Sequence, residues 1–394
     1  MKPTPFHPRT SELLDSYDWG EWSGWLSANT YDLDNTHEYL AIRTSCGVFD
    51  TSPLYKYQIH GPDALKLMNR VVTQEVSRYG VGESMYTPWC DDYGKIIDDG
   101  IVARVDEQLF RMTAAEPTLH WLEDNAVNLN VTVEDITEAY AIMAFQGPYS
   151  RDVLSRLTET DIDNLKYFSL TAIEMAGIPI TLSRTGYTGD LGYELWVKPH
   201  KAVALWDAVF EAGSDYRIRP FGDYALGIAR IEAGMLLADV DFNSSKKVMY
   251  EHEKSTPLEL GLGWTVKLEK EFFVGQKSLI EDKKKGLKWN TIGLEIDLKS
   301  LESIYAKFGM PLYLPYQAWD EAVPVYSGGK QIGKATSGTW SPMLKKYIAL
   351  ARIKPQHASI GNQVEMEVTV NAERHNAKAT VVKTPFFNPP RKTK

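Results

Sequence analysis

Residues 184–197 read RTGYTGDLGYELWV, and this stretch says more about the fold of the chain than any other. Three glycines at a three-residue spacing predict a loop, and the alternating residues after them predict a strand. Glu194 therefore stands where a loop passes into a sheet, among aromatic and branched neighbours. A carboxylate in such surroundings is costly to desolvate unless a hydrogen-bond donor or a cation meets it. Taken alone, the motif also fits an exposed glutamate at a strand edge.

Length and composition place the chain among globular proteins of two or three domains, with 394 residues, 43% of them hydrophobic and 24% charged. The net charge of −9 argues against a nucleic-acid partner. No apolar run reaches the roughly 18 residues of a membrane span. The first residues have no apolar signal core, which predicts a cytoplasmic protein. Two cysteines, Cys46 and Cys90, are too few for a disulfide framework or a zinc site.

A strand followed by Gly-Pro and a helix occurs twice. Residues 55–61 alternate as a strand and lead into helical spacing at 62–70, and the same order returns 86 residues later, at 141–148 and 150–154. The repetition predicts an α+β fold with duplicated halves.

The C-terminal part has a different composition. Helices are predicted at 200–213, at 222–235 and after Gly275, and the charged run 281–286 then marks a break. Beyond it lie short predicted strands separated by Gly, Pro and Asn turns, at 290–297, 323–327, 331–335, 346–353, 364–370 and 377–383. Their spacing predicts a small β-barrel. The predicted domains are therefore 1–286 and 287–394.

Two adjacent carboxylates, Asp98 and Asp99, interrupt an apolar run that follows a hairpin turn at 92–94. Side chains alternate along a strand, so one of the two should face inward and the other outward. An inward carboxylate has its proton affinity set by its surroundings. One turn aspartate and one solvated aspartate would explain the pair equally well.

Arg230 lies beside the apolar stripe of a predicted helix that ends at Gly234. Its guanidinium could extend over a pocket and hold a carboxylate or a ring edge. A solvated arginine on the flank of the helix is the alternative.

Several enzyme classes lack their motif here. The glycines at 186, 189 and 192 precede a strand instead of a helix, unlike the dinucleotide-binding fingerprint. There is no phosphate loop, no pair of histidines at metal-ligand spacing and no Gly-x-Ser-x-Gly elbow. No metal site is predicted.

Taken together, the motifs resemble the family of the glycine-cleavage aminomethyltransferase, the T-protein, and the resemblance covers nearly the whole chain. The matching segments occur in the family's order and lie at 46–52, 145–148, 184–194, 229–234, 256–264, 275–277 and 336–342. The family implies three domains in a cloverleaf around a central channel, with tetrahydrofolate as the cofactor.

The resemblance also implies residue roles. Asp99 matches the second aspartate of the family's Gly-Gly-x-x-Asp-Asp run and would be the catalytic carboxylate beside the folate N5. Glu194 would recognise the pterin by accepting hydrogen bonds from its neighbouring N–H donors, which suit a carboxylate. Tyr187 would pack against the pterin and aminobenzoate, and Arg230 would balance the carboxylates of the same cavity.

Departures from the family pattern bear on the donor. The Asp-x-Ser-His-Met block of the family reads Asp-Thr-Ser-Pro-Leu at 50–54, so Leu54 takes a channel-lining position. Trp196 stands where the family usually has a smaller apolar residue, and it would also contact the cofactor. Aromatic residues crowd the N-terminal segment, namely Tyr17, Trp19, Trp22, Trp25 and Tyr31, and Trp89 precedes Asp99. These rings fit core packing. They also fit an enclosure for a methylated onium group or a methoxylated ring.

The sequence therefore predicts a tetrahydrofolate-dependent methyl or methylene transferase acting on a small methylated or aminomethyl donor, including demethylase activity. The alternatives are a glycine-cleavage aminomethyltransferase that uses a lipoyl carrier protein as partner and a non-catalytic folate-binding module.

Overall fold

The structure, a computed structural model, describes residues 1–394. The helices are α1 His7–Leu13, α2 Thr36–Thr44, α3 Ala64–Val71, α4 Leu119–Ala126, α5 Ser150–Leu154, α6 Ala202–Ala212, α7 Asp223–Glu232, α8 Gln276–Lys285 and α9 Leu298–Ala306. The strands are β1 Asp18–Trp22, β2 Trp25–Thr30, β3 Gly47–Asp50, β4 Tyr55–His60, β5 Ser84–Cys90, β6 Ile96–Asp106, β7 Leu109–Ala114, β8 Thr132–Asp135, β9 Ala141–Gln146, β10 Leu170–Met175, β11 Ile178–Ser183, β12 Gly192–Val197, β13 Arg219–Pro220, β14 Asn290–Ile296, β15 Val323–Ser327, β16 Lys330–Ser341, β17 Lys346–Ile353, β18 Gln363–Val370 and β19 Glu373–Val382.

The first α+β unit is built on a six-stranded sheet in the order β10-β11-β12-β9-β3-β13. One face buries a large apolar core that includes Tyr193. Since side chains alternate along a strand, Glu194 points to the opposite face. There it lies in one row with Ala144 of β9 and Phe49 of β3. The predicted change from loop to strand is confirmed, with β12 beginning at Gly192.

The second unit has a five-stranded sheet in the order β5-β6-β7-β4-β8. The predicted repeat is present in both units, because β4 leads into α3 and β9 leads into α5. The glycine is required at both turns. Gly61 and Gly147 have φ of +131° and +126°, and a Cβ there would lie 2.7 and 2.5 Å from a backbone carbonyl oxygen.

The third unit is a closed barrel with the strand order β14-β17-β16-β15-β18-β19. This confirms the predicted α+β fold with a C-terminal barrel. One strand is longer than predicted, since β16 extends to Ser341. Helix α9 was not predicted. It begins after Asp297, whose side chain accepts a 2.6 Å hydrogen bond from the backbone N–H of Ser300.

Four charged residues join these units, three of them buried, and we call them the interdomain network: Arg43, Asp190, Glu232 and Arg391. Arg43 of α2 contacts Glu232 of α7 at 2.7 Å, and Arg391 of the C-terminal segment donates to Asp190 at 2.6 and 2.8 Å. The side chains of Asp190 and Glu232 are fully buried. Glu232 also accepts a hydrogen bond from Ser341 of the barrel. The segment after the barrel therefore returns to the first unit.

The N-terminal aromatic residues are spread over several environments. Trp19 and Tyr31 line a small recess, while Trp22 stacks on Phe49 with ring centroids 6.0 Å apart. Tyr17 is 86% exposed. These rings do not form one enclosure, and Trp89 is fully buried in the core of the second sheet. Packing therefore accounts for most of them.

No helix has both the length and the apolar character needed to pass through a lipid bilayer. Cys46 and Cys90 are buried and free.

Candidate active site

The two adjacent aspartates of β6 point to opposite sides of the second sheet, as the alternation predicts. Asp98 is fully buried, whereas Asp99, Ile101 and Ala103 are partly exposed although they lie in the interior of a central strand. Val102, which lies between Ile101 and Ala103, is buried. One face of β6 is therefore covered by the core, and the face that carries Asp99 stays accessible.

Asp98 is buried and held by backbone N–H groups. Its two oxygens accept hydrogen bonds from the backbone N–H groups of Asp99 at 2.8 Å and Glu116 at 2.9 Å. Burial raises the pKa of Asp98 well above its ordinary value, and the nearby charge of Asp99 raises it further. These contacts hold the turn after β7 against the sheet.

Asp99 meets a hydroxyl group and no cation. Tyr86 of β5 donates a hydrogen bond to its carboxylate. Burial raises the pKa of Asp99 to about 6, while the bond from Tyr86 acts in the opposite direction. A carboxylate with this pKa can take up and release a proton near neutral pH, which a general acid or base requires.

Tyr86 was missed in the sequence analysis. It lies across the hairpin from Ile101, so pairing the two strands back from the predicted turn would have located it. Its ring stacks on Trp264 with centroids 5.9 Å apart, and Trp264 is 59% exposed. The catalytic candidate Asp99 is thus bordered by an aromatic surface that reaches solvent.

Tyr187 lies near both Asp99 and Arg230. The Tyr187 hydroxyl donates to the carbonyl oxygen of Leu236. Burial raises the pKa of Tyr187, with the positive charge of Arg230 lowering it and the negative charge of Asp99 raising it, which places the three groups in one electrostatic neighbourhood.

Arg230 is already paired within the protein. Its guanidinium contacts Asp241, and Asp241 also accepts hydrogen bonds from the barrel hydroxyls of Thr336 and Ser337. Asp241 was not predicted as the partner. The Nε–H of Arg230 is buried without an acceptor.

Glu194 belongs to the facing sheet. Its carboxylate accepts a 2.7 Å hydrogen bond from Thr185, whose hydroxyl is 2.9 Å from that of Ser183. Burial raises the pKa of Glu194, and the bond from Thr185 opposes the increase. Burial raises the pKa of Tyr167 to about 12, and the negative charge of Glu194 adds to the increase. Glu194, like Asp99, therefore meets hydroxyl groups and no cation.

Trp196 lies on the same strand as Glu194, and Leu54 lies in the turn that joins the first sheet to the second. Trp196 follows Glu194 by two residues on the same face of β12 and packs edge-to-face on Tyr140, with centroids 6.1 Å apart. Leu54 is half-buried in the turn between β3 and β4, and the buried ammonium of Lys56 donates to its carbonyl oxygen at 2.9 Å. Burial lowers the pKa of Lys56 to about 8.

The predicted site residues therefore divide between two sheets. Asp99 lies on the second sheet, Glu194 and Trp196 on the first, and a hydrogen bond from Arg111 of β7 to Thr181 of β11 joins the two faces. We call the space between these faces the cleft. No group of His, Cys, Asp and Glu side chains is arranged to hold a metal ion.

Comparison with known proteins identifies the family. Residues 16–270 match the family model of the GCVT N-terminal domain, and residues 315–388 match that of the glycine cleavage T-protein C-terminal barrel domain. The chain belongs to the glycine cleavage T-protein family. An aminomethyltransferase of Halothermothrix orenii is 34% identical over 98% of this chain and 100% of its own length.

Two further relatives extend the comparison. A trimethylamine-oxide aldolase of Ruegeria pomeroyi is 33% identical over 98% of this chain, which spans 47% of that longer protein. The crystal structure of glycine cleavage system aminomethyltransferase T from Bartonella henselae superposes with a TM-score of 0.83 at 23% identity, covering 100% of this chain and 99% of that one. The fold is thus that of the T-protein, and the chain is an enzyme, a one-carbon transferase of the aminomethyltransferase type.

Proposed function

We propose that this transferase uses tetrahydrofolate as the acceptor of a methyl or methylene group taken from a small donor. The observation that carries the proposal is the accessible carboxylate of Asp99, with a pKa of about 6, on one wall of the cleft. The opposite wall carries a second carboxylate, Glu194, that also lacks a cation. Bound reduced folate would supply a secondary amine, N5, as the nucleophile.

Glu194 is suited to hold the pterin. A buried carboxylate without a cation is unfavourable in the free protein, and adjacent N–H donors of a pterin would relieve it through two parallel hydrogen bonds. Thr185 orients the carboxylate from the side. The unmatched Nε–H of Arg230 offers a donor for an acceptor atom in the same cavity.

Asp99 would orient N5 towards the donor and accept the proton that N5 loses as it bonds to the transferred carbon. With an ammonium or sulfonium donor, the C–N or C–S bond would break and the donor would leave as the neutral amine or sulfide. Tyr86 holds the carboxylate in place. Tyr187, Leu54 and Trp196 would pack along the planar parts of the cofactor. In this arrangement the protein supplies position and a proton acceptor, and the cofactor supplies the nucleophile.

Two donor classes are consistent with the family. One is a small methylated donor such as an ammonium or sulfonium compound. The other is an aminomethyl group presented on a lipoyl carrier protein, which the relatives named aminomethyltransferase favour.

The test is to incubate the protein with tetrahydrofolate and a panel of both donor classes, and to compare Asp99→Asn with the wild type. We expect the substitution to lower the rate by about 10²- to 10⁴-fold. The matched control is Tyr93→Phe, an exposed tyrosine in the adjacent hairpin turn. Transfer at the wild-type rate by Asp99→Asn would refute the mechanism, and folate binding without transfer from any donor would favour the non-catalytic alternative.

A further inference from the structure

We propose that Arg111 and Lys198, with Tyr140 between them, form a subsite for the carboxylates of the glutamate tail of the folate. The inference rests on the proposed function. It assigns the glutamate tail of the ligand to the end of the cleft that Asp99 and Glu194 do not occupy.

The three side chains form one cluster. The Lys198 ammonium lies 3.9 Å from the ring centroid of Tyr140, and the Arg111 guanidinium lies 4.7 Å from the same centroid. Arg111 also lies 5.8 Å from the ring of Trp196. Two positive charges thus share one aromatic ring, although like charges repel each other.

The charge of this cluster has no counterpart in the protein. The guanidinium of Arg111 donates to two neutral hydroxyls, those of Tyr140 at 3.0 Å and Thr181 at 3.4 Å, and its Nε–H is buried without an acceptor. Lys198 contacts the ring of Tyr140 and makes no ion pair. In a chain with nine more acidic than basic residues, two adjacent cations without a carboxylate indicate a site for an external anion.

The cluster lies about the same distance from the carboxylate on each wall of the cleft. On the second sheet, Asp99 and Ala103 share a face of β6, and Arg111 is paired with Ala103. Four residues of strand separate Asp99 from that row, about 13 Å. On the first wall, Lys198 directly follows β12 in extended backbone and is also four residues from Glu194, again about 13 Å. Each wall therefore has a carboxylate at one end and a cation at the other.

This polarity matches the cofactor. A reduced pterin presents N–H donors at one end, and its arm carries an aromatic ring and then one or more glutamate carboxylates. Lys198 is exposed and Tyr140 is half-buried, so this end of the cleft opens to solvent. The carboxylates Asp99 and Glu194 would repel an anionic tail, which gives the ligand a single orientation.

The competing explanation is that Arg111 only joins the two sheets through Tyr140 and Thr181. The two explanations differ in what they predict for ligands with and without a tail. A merely structural arginine would affect all pterins equally, whereas a tail subsite affects only those that carry glutamate.

The experiment measures the binding of three ligands by calorimetry: a reduced pterin without the arm, tetrahydrofolate with one glutamate, and its triglutamate form. We expect Lys198→Gln to weaken the binding of both glutamate forms about threefold and Arg111→Gln about tenfold. Neither variant should change the affinity for the tail-less pterin. Lys330→Gln, a neutralised exposed lysine in the barrel, is the charge-matched control and should change none of the three.

Equal weakening for all three ligands, or no weakening, would overturn the tail subsite and leave the proposed function in place. A wild type that binds none of the three would overturn both. Lys198→Gln removes an exposed side chain, so the test remains available if Arg111→Gln fails to fold.

Discussion

The carboxylates of the interdomain network and those of the cleft are satisfied in different ways. In the network, Glu232 and Asp190 each contact an arginine, Arg43 and Arg391 respectively. In the cleft, Asp99 accepts from the hydroxyl of Tyr86 and Glu194 from that of Thr185, and neither meets a cation. Both groups hold acidic side chains inside the protein, yet only the first is neutralised by the protein itself.

The lack of a cation does not by itself mark a functional carboxylate, since the buried Asp98 also has none and is held by backbone N–H groups. Asp99 and Glu194 differ from Asp98 because they are partly exposed and face the cleft. A paired carboxylate contributes to holding domains together, and removing its partner leaves a buried charge. An unpaired one is kept at a cost in stability and has a raised pKa, as in Asp99 and Glu194. Such groups are available to a ligand that brings N–H donors or a proton. Substitutions in the two groups should therefore have opposite effects on stability.

The largest expected effect is in the network. Arg43→Ala leaves Glu232 buried without its cation, and we expect the free energy of unfolding to fall by about 3–5 kcal/mol. Urea unfolding at neutral pH measures it. The control is Lys346→Ala, which removes an exposed ion pair with Glu295 and should cost less than about 1 kcal/mol. Similar losses in the two variants would contradict a special role for the network.

The second effect distinguishes the adjacent aspartates of β6. Asp98→Asn replaces one of the two acceptor oxygens with a donor that faces the backbone N–H of Asp99 or Glu116. We expect a loss of about 1–3 kcal/mol in the free energy of unfolding at pH 4, where the raised pKa of Asp98 leaves the carboxyl protonated and no ionisation penalty opposes the lost hydrogen bond. Folate affinity, measured by calorimetry on the folded variant, should stay within twofold of the wild type. A large loss of affinity at unchanged stability would place Asp98 in the binding site.

The third effect has the opposite sign. The pKa of Asp99 is raised from its ordinary value to about 6, so ionisation disfavours the folded state progressively as pH rises from about 4 to 6. Asp99→Asn keeps an acceptor for Tyr86 and removes that penalty. We expect the variant to be more stable than the wild type by about 1–2 kcal/mol at pH 7 and equally stable near pH 4. A variant less stable than the wild type at pH 7 would show that Asp99 has a structural role.

The smallest effect concerns the support of Glu194. Thr185→Val removes the hydroxyl that donates to this carboxylate, and we expect a loss of about 1 kcal/mol in the free energy of unfolding. The control is Thr369→Val, an exposed position on β18, which should change stability by less than about 0.5 kcal/mol. Equal losses of stability in the two variants would show that Thr185 does not support Glu194.

Sequence reasoning predicted the parts of the fold that depend on local pattern. The Gly-Pro turns, the loop before β12 and most barrel strands follow from residue spacing and turn chemistry. Helix α9 was missed because its short apolar stripe stands among predicted strands, although the capping Asp297 was a usable signal.

The site was predicted only in part, because much of it depends on contacts between segments that are distant along the chain. Strand alternation predicted that Asp98 and Asp99 would separate, but which one is accessible depends on how the second sheet packs against the first. The pairing of Arg230 with Asp241 and barrel hydroxyls could not be predicted, because it joins segments that are distant along the chain. The same holds for the Arg111 cluster, whose members come from both sheets and the segment between β8 and β9.

The most direct test of the central role of Asp99 is the pH dependence of the transfer rate at limiting tetrahydrofolate with the best donor of the panel, because this rate reports the pKa of the free enzyme. We expect the wild-type rate to rise with pH through about 6 and then level off, following the ionisation of Asp99. Asp99→Asn should be slow and should lose this inflection, whereas the control Asp98→Asn should keep it. A wild-type rate that does not change between pH 5 and pH 8, or an inflection that survives in Asp99→Asn, would contradict the assignment.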